Sequence, residues 1–129
     1  MDAKLMKHGA FSWFELMTTD VKAAKDFYSK LFGWSLNDVP MEHMQYTVVK
    51  VNGEDTAGIM PMPPDAKDMP PVWGIYFTVD NMAVTIDKAK GLGGKILLEP
   101  KDIPNVGQFC VIQDPQGAWF TVIEYKQSI

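Results

Sequence analysis

Arginine is absent from this chain; all twelve basic residues are lysines, scattered as in Lys22, Lys25, Lys30 and Lys88, Lys90, Lys95 with no basic stripe. The planar arginine fork reads guanine edges and phosphates through paired hydrogen bonds. Its absence, together with a net charge of −4, argues against a nucleic-acid partner. Cysteine is nearly missing too: Cys110 stands alone, which excludes an internal disulfide and fits a reducing compartment. No apolar run approaches the roughly 20 residues that span a bilayer. The opening MDAKLMKHGAF has neither the apolar segment nor the small-residue cleavage site of a secretory leader. The expectation is a cytoplasmic protein with no membrane and no nucleic-acid partner.

Histidine is nearly as scarce as cysteine. With only His8 and His43, no Ser-His-Asp or Cys-His arrangement can be assembled, and His8 reads as a solvated residue of the leader. Cys110, within FCVI and without His or Lys beside it, reads as a buried structural thiol. The glycine run GLGG at 91–94 follows a helical pattern instead of opening one, so it is a helix stop and not a phosphate loop.

What is present is an internal repeat. The stretch WFELMTTDVKAAKDFYSKLFGW, Trp13 to Trp34, recurs in weaker form sixty residues on, pairing Trp13 with Trp73, Thr18 with Thr78, Asp20 with Asp80, Lys30 with Lys90 and Gly33 with Gly93. Two copies of one unit in 129 residues predict a single pseudo-symmetric domain, with repeats over about 10–62 and 72–126. The segment 61–71, PMPPDAKDMPP, carries five prolines and reads as a stiff linker without regular structure.

Within the first repeat, alternation over 10–17 predicts a strand with Trp13, Glu15 and Met17 on one face and Phe14, Leu16 and Thr18 on the other. Asp20 is a good helix N-cap. Ala23, Ala24, Phe27, Tyr28, Leu31 and Phe32 form a helical apolar stripe that Gly33 ends. Strands are expected at 34–36, 45–51 and 56–60, with a loop over 37–44 and an Asn52-Gly53 hairpin turn. The second repeat is expected to follow suit: a strand at 72–79 ending on a capping Asp80, a helix at 82–92 and a strand at 95–98. A loop over 99–107 then leads to strands at 108–113 and 119–125, which the turn Asp114-Pro115-Gln116-Gly117 joins.

The paired βαβββ pattern, the FYSKLFGW helix end, GLGGK and DPQGAWF together resemble the vicinal oxygen chelate superfamily over roughly residues 10–125. That superfamily contains glyoxalases, extradiol dioxygenases, fosfomycin-modifying enzymes and bleomycin-binding proteins. The resemblance implies an α+β fold of two tandem βαβββ modules, each a half-cup of mixed sheet, facing each other around a pocket. It also implies pairing into a homodimer. Metal-dependent members carry His or Glu seven residues before the strand-ending Asp, here Trp13 and Trp73, and four residues after the DPxG turn, here Thr121. The first-repeat counterpart of Thr121 would fall in 60–62. None of these supplies imidazole, thiolate or carboxylate, so the usual divalent-metal site is not expected and no cofactor is assigned. A rebuilt site would have to draw on His8, Glu15, His43, Glu54 and Glu124, of which Glu124 has the parity to point away.

Function is argued from that cup. Trp13 and Trp73 at matching positions, with Met17, Ile75, Phe77 and Thr121, are expected to line a Trp-walled pocket for a small aromatic or planar ligand. Alternatively the two indoles fill the cup. Glu15, alternating with Trp13 and Met17 on an apolar face, is expected to be desolvated with a raised pKa, and is the candidate catalytic base. Its alternative is a carboxylate satisfied at an edge or a dimer interface. Tyr46, Tyr76 and Tyr125 are possible phenolic donors, with Tyr76 expected on the helix side. The reading is a small-molecule binding protein of the glyoxalase/bleomycin-resistance type. The alternative is a glyoxalase-like lyase or isomerase using Glu15, with a non-standard metal site.

Overall fold

A computed structural model describes residues 2–41, 44–66 and 68–126. The chain divides into two compact units. Trp13–Gly74 form the first, and Met1–Ser12 with Ile75–Ile129 form the second. The divisions fall inside strands β1 (Phe11–Thr18) and β5 (Val72–Thr78), so the leader and the first residues of β1 belong with the second repeat.

In the first unit, β1 is followed by α1 (Val21–Phe32), then β2 (Ser35–Met41), β3 (Met44–Val51) and β4 (Glu54–Pro61). The sheet order is β2-β3-β4-β1, antiparallel except for the parallel pairing of β1 with β4. Asp20 caps α1 by accepting the Ala23 N–H at 3.0 Å. Gly33 ends it at φ +71°, a left-handed geometry that glycine adopts without a Cβ penalty. Leu16, Val49, Ala57 and Ile59 are buried beneath Val21, Ala24 and Tyr28 of the helix. Each such aliphatic side chain contributes roughly 1.5–3 kcal/mol by leaving water.

The second unit repeats the plan with β5, α2 (Met82–Gly91), β6 (Lys95–Ile103), β7 (Gly107–Gln113) and β8 (Trp119–Tyr125), ordered β5-β8-β7-β6 with β5 parallel to β8. Its core is Val79, Met82, Cys110, Ile112 and Val122, with Phe77, Ile86 and Phe120 packed against it. A short 3-10 turn at Ala3–Met6 precedes a stretch in which Gly9 donates to the Thr78 carbonyl and Thr78 donates back to that of Ala10. Among the described residues no helix is long and apolar enough to cross a membrane.

Two segments expected as loops are strands. β2 runs through Asn37–Met41 and β6 through Glu99–Ile103, although they contain Pro40 and Pro100. Each is the outermost strand of its sheet order, where a missing N–H costs no ladder bond, and β6 absorbs its irregularity in two register shifts. The proline-rich linker also holds a 3-10 turn at Pro64–Ala66.

A further difference governs the site. The N-cap of α2 is Asn81, whose Oδ1 accepts the Val84 N–H at 3.0 Å, and not Asp80. The structural repeat from Asp20 to Asn81 is therefore sixty-one residues where the sequence identities suggest sixty. In a strand, one residue of offset exchanges the two faces.

Candidate functional site

Leu16 points at α1, so alternation sends Glu15 and Met17 to the other face of the first unit's sheet. The parallel register pairs Glu15 with Gly58 and Met17 with Met60. On β3, Val49 is buried under α1, which leaves Tyr46 and Val48 on the Glu15 side, Val48 opposite Gly58. A Cβ placed on Gly58 would overlap the Tyr46 ring and hydroxyl. The bare glycine is what lets the phenol lie flat across β4.

So placed, the Tyr46 hydroxyl donates to Glu15 Oε2 at 2.6 Å and accepts the Trp13 indole N–H at 2.9 Å. Glu15 is only 9% exposed. Trp13, Tyr46 and Glu15 thus form one directed chain of donors ending on a buried carboxylate. A carboxylate out of bulk water needs such bonds, and the short O–H···O distance is that of a charge-assisted one. At the outer edge of the same sheet, Asp38 takes the Lys25 ammonium at 2.8 Å and the Thr47 hydroxyl at 2.7 Å, and these bonds hold its carboxyl below the ordinary carboxylate range.

In the second unit the one-residue offset reverses the expected faces. Phe77 packs in the α2 cluster and against Phe11 and Phe120, with ring centroids 4.6 and 5.6 Å away. Ile75 shares its parity. Trp73, in the first unit, packs edge-on to Tyr28 of α1 and to Trp34. These three residues therefore stand on the helix side of β5 and not beside a counterpart of Glu15. Tyr76, expected on the helix side, instead pairs in register with Thr121 and stands on the face away from α2. Nearby, the Ser12 hydroxyl and the Tyr125 phenol share a hydrogen bond of 2.8 Å, and burial pushes the phenol's pKa up.

The residues suggested for a rebuilt metal site do not gather. His8 is exposed, as expected, and its Nδ1 accepts the Asp80 backbone N–H at 3.1 Å. Glu124 Oε1 accepts the Met82 N–H at 2.6 Å, a carboxylate set on the positive end of α2. Glu54 lies exposed at the start of β4, and His43 lies outside the described residues. The registers also revise the ligand positions the resemblance implies. The counterpart of Thr121 is Gly58, not 60–62, and that of Trp13 is Gly74, not Trp73. Trp13, Gly58, Gly74 and Thr121 offer no imidazole, thiolate or carboxylate, so this donor set does not fit a divalent ion. No cluster of three or more potential ligands exists among the described residues.

Two recesses are distinct from the Trp13–Tyr46–Glu15 chain. One, of about 650 Å³, runs along α1 beside Asp20, Lys22, Lys25 and Leu36. The other, of about 320 Å³, is bounded by Met6, Thr78, Asp80, Glu124 and Lys126. Sequence reasoning named Glu15, Trp13 and, among three phenolic donors, Tyr46, but missed Gly58 and the pairing it allows. A glycine inside an otherwise β-forming stretch, TAGIM, is the signal that marks a close approach.

Residues 10–122 match the family described as Glyoxalase/Bleomycin resistance protein/Dioxygenase superfamily. A Mycobacterium tuberculosis protein that carries the name glyoxylase CFP32 is 42% identical over 115 residues, 87% of this chain and 44% of that protein. The anthracycline biosynthesis protein DnrV of Streptomyces peucetius is 33% identical over 127 residues, 88% of this chain and 46% of its own length. The chain thus spans about half the length of these relatives. Among solved structures, the methylmalonyl-CoA epimerase of Mycobacterium tuberculosis superposes with a TM-score of 0.66 at 16% identity, covering 98% of this chain and 93% of that one. At that identity the likeness speaks for the fold alone.

Proposed function

The chain belongs to the glyoxalase/bleomycin resistance protein/dioxygenase superfamily, and from that premise we propose that it is a small-molecule binding domain whose recognising groups are Trp13, Glu15, Met17 and Tyr46. The supporting observation is the Trp13→Tyr46→Glu15 chain, held over Gly58 on the sheet face that α1 leaves uncovered. A carboxylate held out of bulk water carries a desolvation cost, and carboxylates in such settings cluster at functional sites, which supports a ligand-directed role. An indole face beside it suits a planar conjugated ring, and the carboxylate suits a hydroxyl or amine donor on that ring. The name of one relative, an anthracycline biosynthesis protein, makes an anthracycline a reasonable first probe.

Titration of tryptophan fluorescence with an anthracycline tests this reading. Saturable quenching is expected, with affinity reduced about tenfold in Glu15→Gln, the loss of one charged hydrogen bond. Unsaturable quenching, or equal affinity in Glu15→Gln and Trp13→Phe, would overturn it. Glu15 as the base of a lyase or isomerase is the alternative. It gains ground if the bound ligand exchanges a C–H proton with deuterated solvent and Glu15→Gln abolishes that exchange.

A further inference from the structure

The two faces of the first unit's sheet are built from different side chains. The helix side is aliphatic and aromatic: Leu16, Leu36, Val49 and Ile59 pack under α1, and the Tyr28 hydroxyl takes the Trp73 indole N–H at 3.1 Å. The open side carries methionine. Each of the four strands has one, Met17 on β1, Met41 on β2, Met44 on β3 and Met60 on β4, whereas the strands of the second unit have none. Register puts all four on the Glu15 side. Met17 pairs with Met60 across β1 and β4, and Met41 pairs with Met44 across β2 and β3, two residues along from the Val39–Tyr46 pair. Directly paired residues share a face, with Cβ atoms about 5 Å apart. Met17, Met44 and Met60 are partly exposed, and Met41 is 36% exposed.

Half-exposed strand positions ordinarily favour β-branched and ring side chains. Methionine is unbranched, turns about three bonds and carries a polarisable thioether that packs on ring edges. A face of methionines therefore re-forms around ligands of different outline. From β1 to β2 the face spans three strand spacings, about 14 Å, which is room for three or four fused rings. Its charge is one-sided. Glu15 is an acid, and Val48, Tyr46 and Val39, which lie between it and the Met41–Met44 pair, are uncharged.

We propose that this open face is an adaptable methionine platform for flat polycyclic cations as a class, with no single ring outline selected. The ring system lies over Met17 and Met60 and reaches towards Met41 and Met44. Its positive charge is held by Glu15 and by the ring faces of Trp13 and Tyr46. An anion of the same size meets the Glu15 carboxylate and is turned away. The proposal rests on the binding reading above, and adds to it the ligand's charge, the breadth of the class and the groups that contact the rings.

Methyl spectra of the full chain, with methionine labelled at its methyl carbon, test it by titration with the tricyclic cation proflavine, with doxorubicin and with an anthraquinone sulfonate. The two cations should bind within about tenfold of one another, and the anion about 100-fold more weakly. Ring currents should move the methyl signals of Met17 and Met60 most and those of Met41 and Met44 less, and leave that of the buried Met82 in place. Met17→Leu/Met60→Leu conserves volume, so the fold should hold, and should drive the affinities of the two cations about tenfold further apart, because leucine adopts fewer shapes. An unchanged ratio in that variant overturns the proposal, as does equal affinity for the sulfonate. Saturable tryptophan quenching that depends on Glu15, with the four methyl signals unmoved, also overturns it and leaves the binding reading standing. If none of the three compounds binds, the binding reading and the platform fall together.

Discussion

The two βαβββ units share one backbone plan and differ in what stands on the face each helix leaves open. In the first unit the register brings Glu15 against Gly58, and the space above the glycine admits the Tyr46 phenol. In the second unit the corresponding pair is Tyr76 with Thr121, with no carboxylate. The helices differ as well. α2 buries Met82 and has Glu124 against its first turn, whereas α1 buries nothing and carries the aromatic cluster. Duplicated topology therefore preserves the hydrogen-bond ladders and releases the side chains on the open faces to specialise.

The largest test of that contrast is Gly58→Ala. The added methyl displaces the Tyr46 ring and costs both its bond to Glu15 and the one from Trp13, an expected destabilisation of about 3 kcal/mol. In urea denaturation most of that cost should vanish in a Tyr46→Ala background, because the clash disappears with the ring. Thr121→Ala, at the matching position of the second unit, should cost only about 1 kcal/mol. Equal losses at the two positions would erase the distinction.

A smaller effect is expected at the carboxylate. Glu15→Leu deprives the Tyr46 hydroxyl of its acceptor and should cost about 2 kcal/mol, against under about 1 kcal/mol for Glu15→Gln, which keeps an acceptor oxygen. Thermal melts of the pair, read beside Tyr125→Phe in the second unit, measure how far the polar chain of the first unit exceeds the Ser12–Tyr125 contact.

The helix starts provide the third comparison. Asp20→Ala and Asn81→Ala should each lose about 1 kcal/mol, while Asp80→Ala stays within about 0.5 kcal/mol. Reversal of the order between Asn81 and Asp80 would restore the sixty-residue repeat and move Trp73 and Phe77 back to the open face.

The smallest effects are at the limits of pH. Asp38 in the first unit has a depressed folded pKa, first through Lys25 and then Thr47. Its contribution is present above the ordinary aspartate value and is lost as the pH falls through the depressed one. Tyr125 in the second unit has a raised pKa through burial. Its contribution is complete below the ordinary tyrosine value and drains away as the pH rises towards the raised one. Denaturation profiles should flatten on the acid side in Lys25→Met and on the alkaline side in Tyr125→Phe. The acid effect should be slight, since the Lys25–Asp38 pair is partly exposed.

Local chemistry made most of the fold legible. Asp20 and Gly33 mark the ends of α1, Asn52-Gly53 turns β3 into β4 with both residues at positive φ, and Asp114 closes the last hairpin turn. The strands through Pro40 and Pro100 were not legible, because proline is permitted or forbidden by a strand's place in the sheet and not by its neighbours in sequence. The site was legible by half. Alternation places Glu15 and Met17 on one face, but the identities at sixty residues mislead for Trp73, Ile75 and Phe77, since one capping residue shifts the register.

By itself, then, the sequence determined the repeat, the α+β plan, the start and stop of α1, and a lone carboxylate among apolar neighbours. These depend on interactions within a few residues, where propensity, capping and periodicity act. Tertiary structure alone decided that Tyr46 lies over Gly58 to hold Glu15, that Glu124 meets the start of α2, and that the α1 aromatics gather around Trp73 on the surface. The hydrogen bonds among them join residues some thirty to forty-five positions apart. Which residues meet at that range is set by strand register and helix placement, and a change of one residue in strand register reassigns every side chain of the strand to the opposite face.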